Sequence, residues 1–150
     1  MNEFLDIFRT EANERLERLA SGLLALEQAS AGEDLIADLF REAHSLKGAA
    51  AVTGLDRVAA VCHHMEDVLS KIRDGRMRPD AQVVDALLAA TDAVRGLIDE
   101  APADSSELGH HIEQTVRQLQ ELVDRARADR SETADDADSS EVQPSLATRP

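Results

Sequence analysis

Ala43-His44-Ser45-Leu46-Lys47-Gly48-Ala49-Ala50 places an imidazole, an ammonium and a glycine along the outside of an otherwise apolar helix. On a helix that advances about 100° per residue, Ala43, Leu46 and Ala50 join Ile36 and Leu39 in one stripe, and His44 falls beyond its edge. The ring is expected to point toward solvent. Its neighbours one and two turns away are Phe40, Lys47, Gly48 and Ala51, so its C-terminal side is bordered mainly by residues with little or no side chain. A large partner can press against such a ledge.

Working outward, the stripe belongs to a helix expected from about Glu33 to Val52, entered through a capping-box pattern of Ser30 and Glu33 and closed by Thr53-Gly54. Before it, Phe4, Phe8, Ala12, Leu16, Leu19, Leu23 and Leu26 recur at steps of three and four, which predicts a long amphipathic helix from Asn2 to about Ala29. After it, Leu55, Val58, Cys62, Met65, Leu69 and Ile72 predict a third helix to Arg73, ended by Gly75. Pro79 and Asp80, the latter as N-cap, open a fourth helix whose core residues are Val84, Leu87, Leu88, Thr91, Val94, Leu97 and Ile98. Ala101-Pro102-Ala103-Asp104-Ser105-Ser106 then turns into a fifth helix with Leu108, Ile112, Thr115, Val116, Leu119, Leu122 and Val123 inward.

Nothing alternates with period two, and the links are short. The expected fold is all-α: an antiparallel four-helix bundle over about residues 2–100, extended by a fifth helix over about 105–128. Residues 1–128 would form the domain. From Asp129 to Pro150 Ser, Thr, Asp, Glu, Ala and Pro dominate, and this acidic tail is expected to be disordered, with the composition of a linker.

Composition removes several classes of function. The 150 residues carry a net charge of −14, from 30 acidic and 16 basic residues, whereas a nucleic-acid partner demands clustered Lys and Arg. No apolar run approaches the roughly 18 residues of a membrane span, and MNEFLDIFRTEANERL is unlike a signal peptide. A cytoplasmic protein is expected. Cys62, the one cysteine, cannot form an internal disulfide and reads as a buried small hydrophobe. No GxxxxGK[ST] loop is present to cradle ATP, and no cofactor is expected.

The chemistry left is that of imidazole. With a reference pKa of about 6.5, a neutral ring offers one lone pair and is a nucleophile, most effective when its other nitrogen donates to a carboxylate. A cation nearby then offsets the charge that a phosphoryl group adds, and Lys47 at i+3 from His44 is placed for this. On the third helix His63 and Glu66 share a face displaced from the Cys62, Met65 and Leu69 seam. If helices two and three pack antiparallel, Glu66 comes level with His44 to orient it, and His63 completes a polar network. His63-His64-Met65-Glu66 also has ligand types for zinc, but adjacent histidines diverge by about 100° and an i,i+3 pair supplies at most two ligands, so no metal is expected. His110-His111 has no identifiable partner set.

Phe40-Arg41-Glu42-Ala43-His44-Ser45-Leu46-Lys47-Gly48, then Gly54-Leu55, then His63-His64-Met65-Glu66 resembles the histidine phosphotransfer (HPt) domain of CheA-type chemotaxis kinases over roughly residues 4–100. The resemblance implies that His44 is phosphorylated, supported by Lys47, His63 and Glu66; Phe40, Gly48 and Ala51, from their positions beside the ring, are expected to face partners. Those partners would be an ATP-binding kinase domain of the same or a partner polypeptide, and the receiver domains of response regulators. The chain alone would be a substrate and carrier without its own ATP site, and the full-length parent a protein histidine kinase. Two other readings are a stand-alone relay protein with the same chemistry and a structural helical interaction module in which His44 is incidental.

Overall fold

The structure is a computed structural model that describes residues 2–28, 32–100 and 106–140. Five helices follow one another in these residues: α1 (Asn2–Leu26), α2 (Glu33–Val52), α3 (Asp56–Arg73), α4 (Ala81–Glu100) and α5 (Ser106–Ser140). Helices α1 to α4 form a ring in which each packs on the next and α4 closes back on α1, while α5 lies outside against α3 and α4. The bundle expected from the apolar periodicity is the observed fold.

Its core is the set of stripes read from the sequence. Leu16, Leu19 and Leu23 of α1, Leu39 and Leu46 of α2, Met65 and Leu69 of α3 and Leu87 and Ile98 of α4 are all buried. Helix α4 has neighbours on two sides, so Val83, Ala86, Ala90 and Ala93 are buried as well. Two buried hydroxyls are satisfied one turn back: Thr91 donates to the Leu87 carbonyl and Thr115 to that of His111.

The links are built as their residue types demand. Gly54 and Gly75 have φ of 80° and 76°, the left-handed region, immediately after α2 and α3. In both links an amide reaches five residues back, Leu55 to the Ala50 carbonyl and Arg76 to that of Lys71, each at 2.9 Å. These are Schellman closures, in which a glycine turns the chain without a Cβ penalty. Asp80 caps α4 through its carboxylate, which accepts from the Val83 amide at 2.9 Å.

Three expectations require correction. Phe4, expected in the core stripe, is instead 80% exposed. Arg9 already meets the Ile98 carbonyl near the end of α4, so Phe4, more than a turn earlier, overhangs its partner helices. Helix α1 also stops at Leu26 rather than near Ala29, and Gly32 occupies the N-cap of α2. Ser30, the proposed capping-box residue, lies outside the described residues, as does the 101–105 turn.

The third correction concerns residues 129–140, expected to be disordered, where α5 remains helical to Ser140. Absence of an apolar period removes a packing face, but continuing an existing helix fixes only one residue per added hydrogen bond, so the helix runs on although Asp, Ser and Thr, weaker helix formers, make up most of these residues. Residues 141–150 lie outside the described residues.

Replacing Asp80 with Ala should lower stability by about 1 kcal/mol while leaving helix content unchanged. Thermal unfolding followed by circular dichroism checks this, and an unshifted midpoint would remove the cap from the account of α4.

Candidate functional site

The short link between α2 and α3 makes them antiparallel and sets their register, bringing one turn of α3 level with the middle of α2. His44 and Lys47, three apart on α2, therefore converge on Glu66 of α3. Nδ1 of His44 bonds Oε1 of Glu66, and Lys47 Nζ donates to Oε2 at 2.5 Å. The two carboxylate oxygens are thus shared between two donors on the neighbouring helix.

Burial differs sharply across this contact. The Glu66 side chain is 8% exposed, that of Lys47 29% and that of His44 64%. A carboxylate taken that far from water requires partners, and the ammonium together with the ring N–H supplies them. A carboxylate accepts and does not donate, so the hydrogen on His44 is assigned to Nδ1. Nε2 is then left with its lone pair on a ring that is mostly exposed.

His63 is brought near this centre but is not joined to it by a hydrogen bond. Its Nδ1 lies 3.9 Å from Oε2 of Glu66 and its Nε2 3.8 Å from Asp67, within reach of an ion pair only when the ring is protonated. It meets His64 edge-on. Burial holds His64 below its ordinary pKa, with His63 acting in the same direction and Asp67 against it.

Of the residues proposed to face partners, Gly48 and Ala51 are exposed on α2 beyond His44, and no atom outside the helix backbone would meet a Cβ added at Gly48. Phe40 is half-buried against the core, and its ring lies beside that of His44. His110 and His111 stand apart from this site on the surface of α5. Among the described residues no three His, Cys, Asp or Glu side chains converge as metal ligands would, and no helix is long and apolar enough to cross a membrane.

The depth of Glu66 was not legible in the sequence, which placed it beside the apolar seam. The seam is wider than a single stripe: Val61 and Val68 are buried along with Val58, Cys62, Met65, Leu69 and Ile72, so Glu66 closes the polar edge of a broad buried face. Burial also pushes the Cys62 thiol up to about 12, with Glu66 adding to the effect and Lys47 opposing it.

The described residues thus form a helical bundle that presents an exposed imidazole backed by a buried carboxylate. The chain belongs to the Hpt domain family, whose model matches residues 3–139. Among its relatives, it is 32% identical over 121 residues to the chemotaxis protein CheA of Treponema pallidum, covering 81% of this chain and 15% of that protein. With CheA of Bacillus subtilis it is 35% identical over 119 residues, covering 75% and 18%.

Solved structures agree. The phosphorylated P1 domain of CheA3 from R. sphaeroides, in complex with CheY6, superposes with a TM-score of 0.74 at 29% identity, covering 84% of this chain and 99% of that one. The solution structure of the histidine phosphotransfer domain of CheA gives 0.70 at 30% identity, covering 80% and 91%. The chain is thus a histidine phosphotransfer domain of the CheA type, spanning less than a fifth of the length of the curated CheA proteins that it matches.

Two measurements check the site. Nitrogen NMR of His44 in its neutral form should report the hydrogen on Nδ1, and Glu66→Ala should shift it toward Nε2, the preference of free imidazole; an unchanged tautomer would remove the carboxylate from its orienting role. In the folded chain the Cys62 thiol is held above its ordinary value of 9.0, so the unfolded chain releases its proton first. Its contribution to stability is therefore complete below that value and lost as pH rises toward 12. The stability difference between wild type and Cys62→Ala, read by denaturant titration, should change in that direction across this window, and a constant difference would contradict it.

Proposed function

We propose that this chain is the phosphate-carrying domain of a chemotaxis kinase, with Nε2 of His44 as the atom that carries the phosphoryl group. The observation that supports this most is the pairing of an exposed imidazole with a buried carboxylate through Nδ1. The lone pair of Nε2 attacks the γ-phosphorus of ATP held by a kinase domain of the same or a partner polypeptide. The bond to the bridging oxygen breaks, ADP leaves, and an Nε2–P bond forms. As the ring gains positive character, the carboxylate of Glu66 stabilises it, as carboxylates behind catalytic imidazoles do.

In the second half an aspartate oxygen of a response regulator attacks the same phosphorus, and the P–N bond breaks with the imidazole as leaving group. Lys47 offsets the charge carried in between. His63, near the carboxylate but not bonded to it, supports the network when protonated. Gly48 and Ala51 leave room on α2 for either partner, and Phe40 borders the ring on its other side. The relative that is solved phosphorylated and bound to CheY6 favours this assignment.

On this reading the chain alone is a carrier and substrate, the parent is a protein histidine kinase, and both act in the cytoplasm. Helices α1 to α4 with α5 to about residue 128 form the carrying unit. A stand-alone relay protein would use His44 in the same way, and the length of the full gene separates the two cases.

Incubation with a CheA-type kinase domain and labelled ATP should label wild type and leave His44→Gln unlabelled. Glu66→Ala should remain folded and slow labelling by roughly ten- to hundredfold, the usual effect of removing an orienting partner. Label retained in His44→Gln would refute the assignment of the carrier atom, and equal initial rates for Glu66→Ala and wild type would remove Glu66 from the mechanism.

A further inference from the structure

A single hydrogen bond at Nδ1 fixes one atom of the imidazole and leaves the ring free to rock about that contact. The direction of Nε2 therefore needs a second restraint, and the ring of His44 is 64% exposed, with little packed around it. The restraint is found one turn earlier on the same helix. The rings of Phe40 and His44 lie 6.3 Å apart between centroids and only 9° from parallel, within the range of offset aromatic pairs.

Phe40 is itself held from α3. It packs against the core, and the guanidinium carbon of Arg73 sits over its ring at 4.6 Å from the centroid, a cation–π distance. Arg73 belongs to the last turn of α3, where its guanidinium approaches Ser70 Oγ at 3.5 Å and Asp74 at 3.7 Å. Helix α3 thus reaches His44 along two routes: directly through Glu66, and through Arg73 and Phe40.

We infer that Phe40 and Arg73 are positioning residues for the phosphoryl acceptor, with Arg73 pinning Phe40 and Phe40 setting the plane of the His44 ring. This rests on the carrier reading above and deepens it. Phe40 then does more than border a docking surface: its effect appears even when no protein partner is present. Arg73 acts only through Phe40, so its removal has no consequence once the aromatic ring is gone.

The test uses phosphoramidate, a small donor that needs no docking surface. Nε2 of His44 displaces ammonia from its phosphorus, the P–N bond of the donor breaking as the Nε2–P bond forms. Phe40→Leu, which keeps an apolar side chain against the core, should slow this reaction by roughly three- to tenfold, and Phe40→Tyr should restore it. Arg73→Ala should slow it by a smaller factor and Arg73→Lys should not, since an ammonium also sits favourably over an aromatic face. In the Phe40→Leu background, Arg73→Ala should add nothing.

Carbon relaxation of the His44 ring, measured without any phosphate donor, should show increased ring motion in Phe40→Leu with an unaltered circular dichroism spectrum. Unchanged ring order in Phe40→Leu, or an independent loss from Arg73→Ala in that background, would overturn the inference. Should wild type itself take up no phosphate on His44, the carrier reading fails, and the relaxation measurement still decides whether Phe40 holds the ring.

Discussion

One carboxylate, that of Glu66, is carried almost out of water and shared between two donors on a neighbouring helix. Such a charge is tolerated only where its partners are in place, because an unpaired buried carboxylate costs several kcal/mol, on the order of a large part of a small domain's stability. The pairing therefore depends on the register of α2 against α3. That register is set by Gly54 in its left-handed conformation and by the amide of Leu55 closing on the Ala50 carbonyl. A link longer or shorter by one residue would rotate Glu66 away from His44 and Lys47.

The same contact divides the site into an inner and an outer half. Inward, the carboxylate, the ammonium and the apolar seam of α3 form a fixed support. Outward, the imidazole stands in solvent beside a glycine and an alanine. The carrier role proposed above would use this division, since a buried ring would be unreachable to a partner and an unsupported one would be poorly aimed.

Much of the fold was legible because helix burial has a period that a sequence displays directly. The stripe of Ile36, Leu39, Ala43, Leu46 and Ala50 is buried in full, and Gly54, Gly75 and Asp80 occupy the turn and cap positions their chemistry suggests. Phe4 was misplaced because periodicity reports which face a residue lies on and not where the partner helix ends. Residues 129–140 were misread because loss of an apolar face was equated with loss of helix, although propagation from an established helix needs no face at all. For the site, the direction of His44 followed from its own helix. The depth of Glu66 and the seating of Arg73 over Phe40 depend on which residues two helices bring level, and spacing within one helix does not contain that information.

Helix α2 is also gripped on its other flank. Arg15 and Arg18 of α1 both reach Glu42, at 3.0 and 3.1 Å, two residues before His44 and so about 200° around the axis. A helix fastened along opposite sides cannot roll in either direction without breaking one set of contacts. The bearing of the imidazole is consequently a property of the whole α1–α2–α3 wall, comparable to a shaft keyed in its housing.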